Sequence, residues 1–333
     1  MEKTKIAIIG LGGITQLIHL PVLSKLKDVE ITSVSEIDKN RLNIVGEKFN
    51  IKNRFQDYNE MLEKVDIDAV IIASPTSTHE RVALDCLKLK KNIFVEKPIG
   101  RKYPEAKSIH DEAIRNKCKV MVGMNQRFRP DAMLLKSILN SGEIGDLYFL
   151  KTAWSREQSS MEKWIIKKEE SGGGVLLDLG IVLLDLALWI FDYRKIASVS
   201  AQHYFNFTKE VEDTAVAFIR CKDLSVIGIE VSWAPKPENL PMTFTVYGSK
   251  GWAQLNPLNV YKRINDQYID YSPAQKKDER GIFKKSYENE LRYFIRSVRG
   301  DYPVVSTSEE AVLRMSVIES IYKSAEIKSE VKI

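Results

Sequence analysis

Cysteine is scarce in this chain. Only Cys86, Cys118 and Cys221 occur in 333 residues, and no two make a CxxC pair. An odd number at long spacings excludes a disulfide framework and the usual zinc sites. Unpaired thiols fit a reducing cytoplasm. Charge of one sign is also in short supply. The formal net charge is +5, and the charged runs 88–91 and 276–280 are interrupted or of mixed sign. That excess is too small for a nucleic-acid footprint, and the runs read as solvated surface. No uninterrupted apolar run approaches the roughly 18 residues of a membrane span, so no membrane partner is expected. The apolar run after Lys5 is short and enters a glycine turn instead of a cleavage site, so it does not read as a signal peptide. Histidine is limited to His19, His79, His110 and His203.

What is present is ordinary for a globular protein. Hydrophobic residues make up 44% and charged residues 29%, which excludes a disordered or fibrous chain. The length suits two domains. Up to about residue 124, short apolar runs at 5–9, 31–35, 68–73, 92–95 and 119–123 alternate with helical patterns at 14–26, 39–49, 80–90 and 104–116. Strands apolar on both faces and separated by helices predict a parallel sheet covered on both sides. The pattern then changes. A helix at 133–140, a strand at 147–154 and a long apolar helix at 176–191 lead into alternating runs at 197–207, 213–221, 224–233 and 242–247. The turn Lys222-Asp223 marks a hairpin. The expected architecture is an α/β Rossmann domain over 1–124 and an α+β domain over 125–333, with a large, mostly antiparallel, open-faced sheet. The polar stretch 267–281 reads as a loop, followed by two helices at 287–298 and 309–324. Thr307 and Glu310 have capping-box spacing ahead of the second.

The first strand runs into Gly10-Leu11-Gly12-Gly13-Ile14-Thr15. A dinucleotide needs a tight turn there, with backbone N–H groups at a helix N-terminus close to the pyrophosphate. Gly10 and Gly12 are spaced for that turn. Thr15 replaces the third glycine of GxGxxG, and its β-branch is expected to loosen the helix–strand packing without disturbing the phosphate contact. Glu36 ends the second strand about 20 residues further on, where a carboxylate accepts the ribose hydroxyls and repels a 2′-phosphate. Its neighbours Ile37 and Asp38 include no arginine, so NAD is expected over NADP. Asp38 fills the same role if the strand ends two residues later.

Several motifs then occur in order. They are His19-Leu20-Pro21, the run from Ala73 through Ser74-Pro75-Thr76 to His79, and Glu96-Lys97-Pro98. After them come the run from Gly123 to Phe128, Gly172-Gly173-Gly174 with Asp178, Gly180 and Asp185, and Glu212-Asp213-Thr214-Ala215. With them the chain resembles the glucose–fructose oxidoreductase/inositol dehydrogenase (Gfo/Idh/MocA) family over nearly its whole length. Thr76 stands where asparagine is more usual. The resemblance implies NAD(P)-dependent oxidation or reduction of a secondary alcohol or ketone on a sugar, inositol or related polyol. It also implies a homodimer or homotetramer formed through the exposed sheet face. Gly10, Gly12, Gly13, Ile14, Glu36, Ser74, Pro75, Thr76, His79, Glu96 and Lys97 are the expected cofactor-side residues, and no metal is expected.

Removing hydride from a secondary alcohol leaves a proton to be taken up. The site needs a group that stabilises the developing alkoxide, and a base. Lys97 follows the strand at 92–95, at the carboxyl end of a parallel sheet where ligands bind. The resemblance makes it catalytic, with Glu96 orienting the turn. Asp178, Val182, Asp185 and Trp189 recur at helical spacing as one stripe. In the family the position of Val182 is usually an acid/base histidine, and valine cannot transfer a proton. General acid–base catalysis contributes about 10²–10⁴-fold, or roughly 3–5 kcal/mol of barrier. Two accounts follow. In one, Lys97, Asp178 or a water held by Asp178 replaces the histidine. In the other, catalysis is reduced and the protein senses NAD(H) or a sugar as a regulator. Arg127, Trp154, Arg156 and Trp164 are the further candidates for a polyhydroxylated or anionic ligand, by charged hydrogen bonds and ring stacking.

Overall fold

The computed structural model describes residues 2–159, 163–233, 242–274 and 279–333, apart from the side chains of 279 and 280. The charged run 276–280 therefore lies almost wholly outside the described residues. The chain packs as two compact units. One holds the residues up to Met124 together with Tyr287–Leu313, and the other holds Asn125–Ser286 with Arg314–Ile333. The stretch 287–313, expected with the second domain, thus belongs to the first. Two kinds of contact hold it there: Phe294 packs on Phe94 at 5.5 Å between ring centroids, and Lys119 Nζ donates to Ser297 O at 2.5 Å.

The first unit is built on six strands: β1 (Thr4–Ile9), β2 (Val29–Ser35), β3 (Asn53–Phe55), β4 (Ala69–Ile72), β5 (Asn92–Val95) and β6 (Val120–Val122). They pair in parallel in the order β3-β2-β1-β4-β5-β6. Ile6, Ile8, Val70, Ile71 and Phe94 are fully buried, as a sheet covered on both faces requires. β3 and the helix Tyr58–Lys64 are absent from the sequence reading. Asn53-Arg54-Phe55 carries no apolar alternation, and β2 alone recruits it, through Ser33–Ser35.

The second unit has a nine-stranded sheet: β7 (Leu147–Ser155), β8 (Ile196–Tyr204), β9 (Thr214–Cys221), β10 (Val226–Ser232), β11 (Thr243–Gly248), β12 (Gly251–Leu255), β13 (Asn259–Ile264), β14 (Gln267–Asp270) and β15 (Val331–Lys332). The order is β14-β13-β12-β11-β7-β10-β9-β8-β15, and only β7 and β10 run parallel. Residues 267–270 are therefore a strand and not part of a loop. Their side chains are all exposed, so no alternation betrays them, and pairing with β13 defines them. One face of the sheet is covered by the helix Ile181–Ile190, in which every residue but Trp189 is buried. The stretch Lys168–Ile190 has the length and apolarity of a membrane span, but 94% of its most apolar window is buried inside the unit, which makes it a core helix. The capping box is formed: Thr307 N donates to Glu310 Oε2 at 3.0 Å, and Glu310 N donates to Thr307 Oγ1 at 3.2 Å.

Candidate functional site

β1 and β4 are neighbours in the sheet but their connections leave in opposite directions, which opens a crevice at their carboxyl ends. Gly10 leaves β1 with φ +93°, and a Cβ there would lie 2.6 Å from Ser74 N. Only glycine permits that approach. Around Gly12 and Gly13 the opposite holds: nothing lies within 4 Å of a Cβ position, so the turn is open. Glu36, one residue past β2, reaches the backbone of this turn. Its Oε2 accepts from Leu11 N at 2.9 Å and its Oε1 from Asp38 N at 3.1 Å. The helix Lys39–Lys48 brings Arg41 Nη1 within 3.5 Å of Glu36 Oε2. The sequence neighbours of Glu36 hold no arginine, but the first helical turn returns one. An open glycine turn at a helix start, with a carboxylate beside it, fits a dinucleotide.

Thr15 does not loosen the packing. It is fully buried, and its Oγ1 donates to Gly10 O at 2.8 Å. The residues Thr15–His19 form a π-turn, whose wider ladder accommodates the branched side chain. Pro21 sits just past that turn, where the ladder is already interrupted and a missing N–H does little further harm. Ile14 is half-buried at the helix start.

The loop after β4 carries Ser74 and Pro75, and a helix begins at Thr76, four residues before the expected start. Ser74 Oγ and Thr78 Oγ1 are hydrogen-bonded at 2.7 Å, and Thr76 is buried. His79 lies inside this first turn. Its Nδ1 faces Pro98 O and its Nε2 faces Ser74 O, each at 2.8 Å. One buried ring thus ties the loop after β4 to the turn after β5. Burial pulls the imidazole below its ordinary pKa, against the two carbonyls, which favour the charged ring. Glu96 opens the turn after β5 with both oxygens engaged: Oε1 pairs with His19 Nε2 at 2.9 Å and Oε2 accepts from Lys97 N at 3.2 Å. Burial pushes this carboxyl up, but His19 and Lys97 together outweigh it and hold the carboxyl below its usual range. Glu96 is therefore an anchor. Lys97 is half-buried beside it.

In the second unit, Asp178 lies in a π-turn, Leu176–Gly180, directly after the triple glycine. Its Oδ2 accepts from Trp233 Nε1 at 3.0 Å and from Ser159 N at 3.1 Å. Val182 is buried at 6% exposure in the following helix. Trp154 shares the face of β7 that carries buried Leu150 and Thr152, and the Arg156 guanidinium stands 5.3 Å from its ring. Trp164 is half-buried in a short 3₁₀ turn, Lys163–Ile166. Arg127 departs from the expectation. Asp185 Oδ2 and Oδ1 hold its Nε and Nη2 at 2.7 and 2.5 Å, and Arg314 Nη1 meets the same Oδ1 at 2.6 Å. Arg127 and Asp185 are thus partners in the core. Trp233, which touches Asp178, was missed because a tryptophan ending a strand reads as packing.

Comparison with known proteins gives the same assignment for both units. Residues 4–124 match the model of the oxidoreductase family with an NAD-binding Rossmann fold, and residues 133–254 match the GFO/IDH/MocA C-terminal domain. The chain belongs to the GFO/IDH/MocA oxidoreductase family. It is 26% identical to the myo-inositol 2-dehydrogenase of Thermotoga maritima, over 99% of this chain and 98% of that protein. It is 23% identical to the D-glucoside 3-dehydrogenase of Escherichia coli, over 99% of this chain and 97% of that one. A levoglucosan dehydrogenase solved with NADH shares the fold at TM-score 0.89 and 19% identity, with 100% and 99% of the two chains covered. The matched first domain is an NAD-binding Rossmann fold.

His79 gives a pH dependence with a definite sign. Its folded pKa is depressed, so the unfolded chain binds the proton first. Stability is full above about pH 6.5, the unperturbed histidine value, and declines as the pH falls below it. The urea midpoint of the native protein is expected to drop more between pH 7.5 and 5.5 than that of His79→Asn. Equal drops refute the assignment.

Proposed function

We propose that this chain is an NAD-dependent dehydrogenase that oxidises a secondary alcohol, or reduces the matching ketone, of a sugar, inositol or related polyol. The observation that carries this reading is the open glycine turn at the sheet's switch point, with Glu36 fastened to its backbone. The names of the relatives support the substrate class, since inositols and glucosides are polyhydroxylated secondary alcohols.

Gly10, Gly12, Gly13 and Ile14 would hold the pyrophosphate by backbone, and Glu36 would accept the ribose hydroxyls. Ser74, Pro75 and Thr76 line the neighbouring loop, and His79 and Glu96 fix the two turns. Bound NAD supplies the hydride acceptor. Lys97 polarises the reacting oxygen and stabilises the alkoxide. Asp178 orients the substrate hydroxyl and helps to relay its proton, since Val182 can only form an apolar wall. Trp154, Arg156 and Trp164 contribute ring stacking and charged hydrogen bonds to a polyol. The purified protein is expected to transfer hydride with NAD to at least one member of a panel of sugars, inositols and their keto forms. Lys97→Ala should lower kcat/KM by about 10²–10⁴-fold, with NADH affinity nearly unchanged. No turnover on the whole panel would favour a ligand-sensing regulator, and full activity in Lys97→Ala would remove that residue from the mechanism.

Glu36 and Arg41 set the cofactor choice together. Glu36→Ala should narrow the NAD/NADP affinity gap, because it removes a carboxylate and leaves Arg41 to meet a 2′-phosphate. Adding Arg41→Ala should widen the gap again. An unchanged ratio in Glu36→Ala, measured by fluorescence titration with NADH and NADPH, contradicts this.

We also place the protein in a reducing cytoplasm, on the strength of its unpaired thiols, and propose a homodimer or homotetramer. Val216 and Phe218 are exposed on β9 between buried Ala215, Ala217 and Ile219, and Phe149 stacks on Tyr247 across β7 and β11. Such an apolar sheet face is a liability unless covered. Light scattering should give a multiple of the 38.1 kDa chain mass, and Phe218→Arg should shift it toward the monomer. A monomeric native protein refutes the proposal.

A further inference from the structure

The triple glycine before Asp178 needs something to hold it, because a glycine run has no conformation of its own. The structure places Glu212 there. Its Oε1 accepts from Gly174 N and from Leu176 N, each at 3.0 Å, while its backbone carbonyl accepts from Val175 N at 2.9 Å. Three successive N–H groups at a helix start, which the helix itself leaves unsatisfied, are therefore capped by one residue from another segment. Tyr322 OH donates to the same Oε1 at 2.9 Å.

The glycines are shaped for this clamp. A Cβ on Gly173 would lie 1.9 Å from the Tyr322 hydroxyl oxygen, and one on Gly174 would lie 2.0 Å from Glu212 O. The second anchor of Asp178 begins one residue later. Asp213 O accepts from Trp233 N at 2.8 Å, and the Trp233 indole N–H then reaches Asp178 Oδ2 at 3.0 Å. The helix start and the carboxylate are thus both referred to the dipeptide Glu212-Asp213. Glu212 is 2% exposed. Burial raises its carboxyl pKa, and the three donors on Oε1 work against that.

We infer that Glu212, backed by Tyr322, is a positioning residue that sets the start of the helix carrying Asp178 and Val182, and so aims the Asp178 carboxylate at the substrate. This rests on the reading of Asp178 as a substrate-side group. The Glu212 carboxylate is engaged by Gly174 N, Leu176 N and Tyr322 OH, so the role assigned to it is indirect. Its influence is carried by the backbone of residues 174–176.

The test uses the full-length protein with Glu212→Gln and Tyr322→Phe. Glutamine keeps an acceptor oxygen but loses the charge. Phenylalanine removes a single hydroxyl, and it decides the matter if Glu212→Gln does not fold. Turnover is expressed per NADH-binding site, so that a loss of folded protein does not count as a loss of kcat. Glu212→Gln is expected to lower kcat about tenfold with NADH affinity unchanged, an effect limited to the transition state. A readout independent of turnover is the indole N–H resonance of Trp233, identified by its loss in Trp233→Phe, which should shift in both variants. A kcat within twofold of the native value in a folded variant overturns the inference. If the native protein turns over nothing on the panel, the dehydrogenase reading fails by itself. The resonance then decides: a shift upholds the positioning role, and an unmoved signal refutes it.

Discussion

At Gly10 a Cβ would lie 2.6 Å from the amide nitrogen of Ser74, and at Gly174 it would lie 2.0 Å from the carbonyl oxygen of Glu212. Backbone meets backbone at both places, and a side chain on either glycine would force the two segments apart. Much else follows from that closeness. Each glycine turn exposes N–H groups that need an acceptor, and in each unit a glutamate from a nearby strand end supplies one: Glu36 for Leu11, Glu212 for Gly174 and Leu176. Each turn is followed by a π-turn, Thr15–His19 in one unit and Leu176–Gly180 in the other. A widened ladder often accompanies functional helix starts. Here it follows a turn whose geometry was fixed by a close approach and not by the helix.

Buried charge does the rest of the positioning. Asp185 is fully buried and shared by Arg127 and Arg314. Such a cluster gains little net stability over an apolar core, but leaving one member unpaired is expensive. It therefore fixes side-chain geometry strongly. Glu96 and His19 form a similar pair in the first unit. In both cases a residue that looks chemically ready is occupied with holding other residues. Lys97 follows Glu96 directly in the chain, and Asp178 is itself held by Trp233 and Ser159.

The parallel sheet, the glycine turn, the Glu96-Lys97-Pro98 turn and the hairpin at Lys222-Asp223 were legible in the sequence because each rests on local pattern. Apolar runs, turn residues and strand-end motifs carry their meaning within a few positions. The failures have one common cause. β3 and β14 have no apolar alternation and exist because a neighbouring strand pairs with them. The stretch 287–313 follows the second domain in sequence yet packs with the first unit, and nothing local marks that return. The pairing of Arg127 with Asp185, 58 residues away, is likewise unmarked in the local sequence. Arg41 and Trp233 were overlooked for the same reason, since their relevance depends on where a helix turn or a strand end brings them.

The proton remains the hardest part of the chemistry, and the four histidines narrow it. His19 is bonded to Glu96, His79 to two backbone carbonyls and His110 to Ser308 Oγ at 2.9 Å. His203 lies edge-on to Tyr322 at 5.1 Å, and burial pulls its pKa to about 4. An imidazole with that value is a poor base at neutral pH, because acid–base efficiency is greatest when the pKa lies near the working pH. Each histidine is thus committed to structure or held out of range. Histidine therefore supplies no ready base among the described residues. If an alcohol is oxidised here, its proton leaves through a carboxylate, an amine or water. Asp178 is a carboxylate in the second unit with a doubly anchored position. Under the proposed function, a fixed carboxylate four residues before an apolar valine would orient the hydroxyl, and water would carry its proton away.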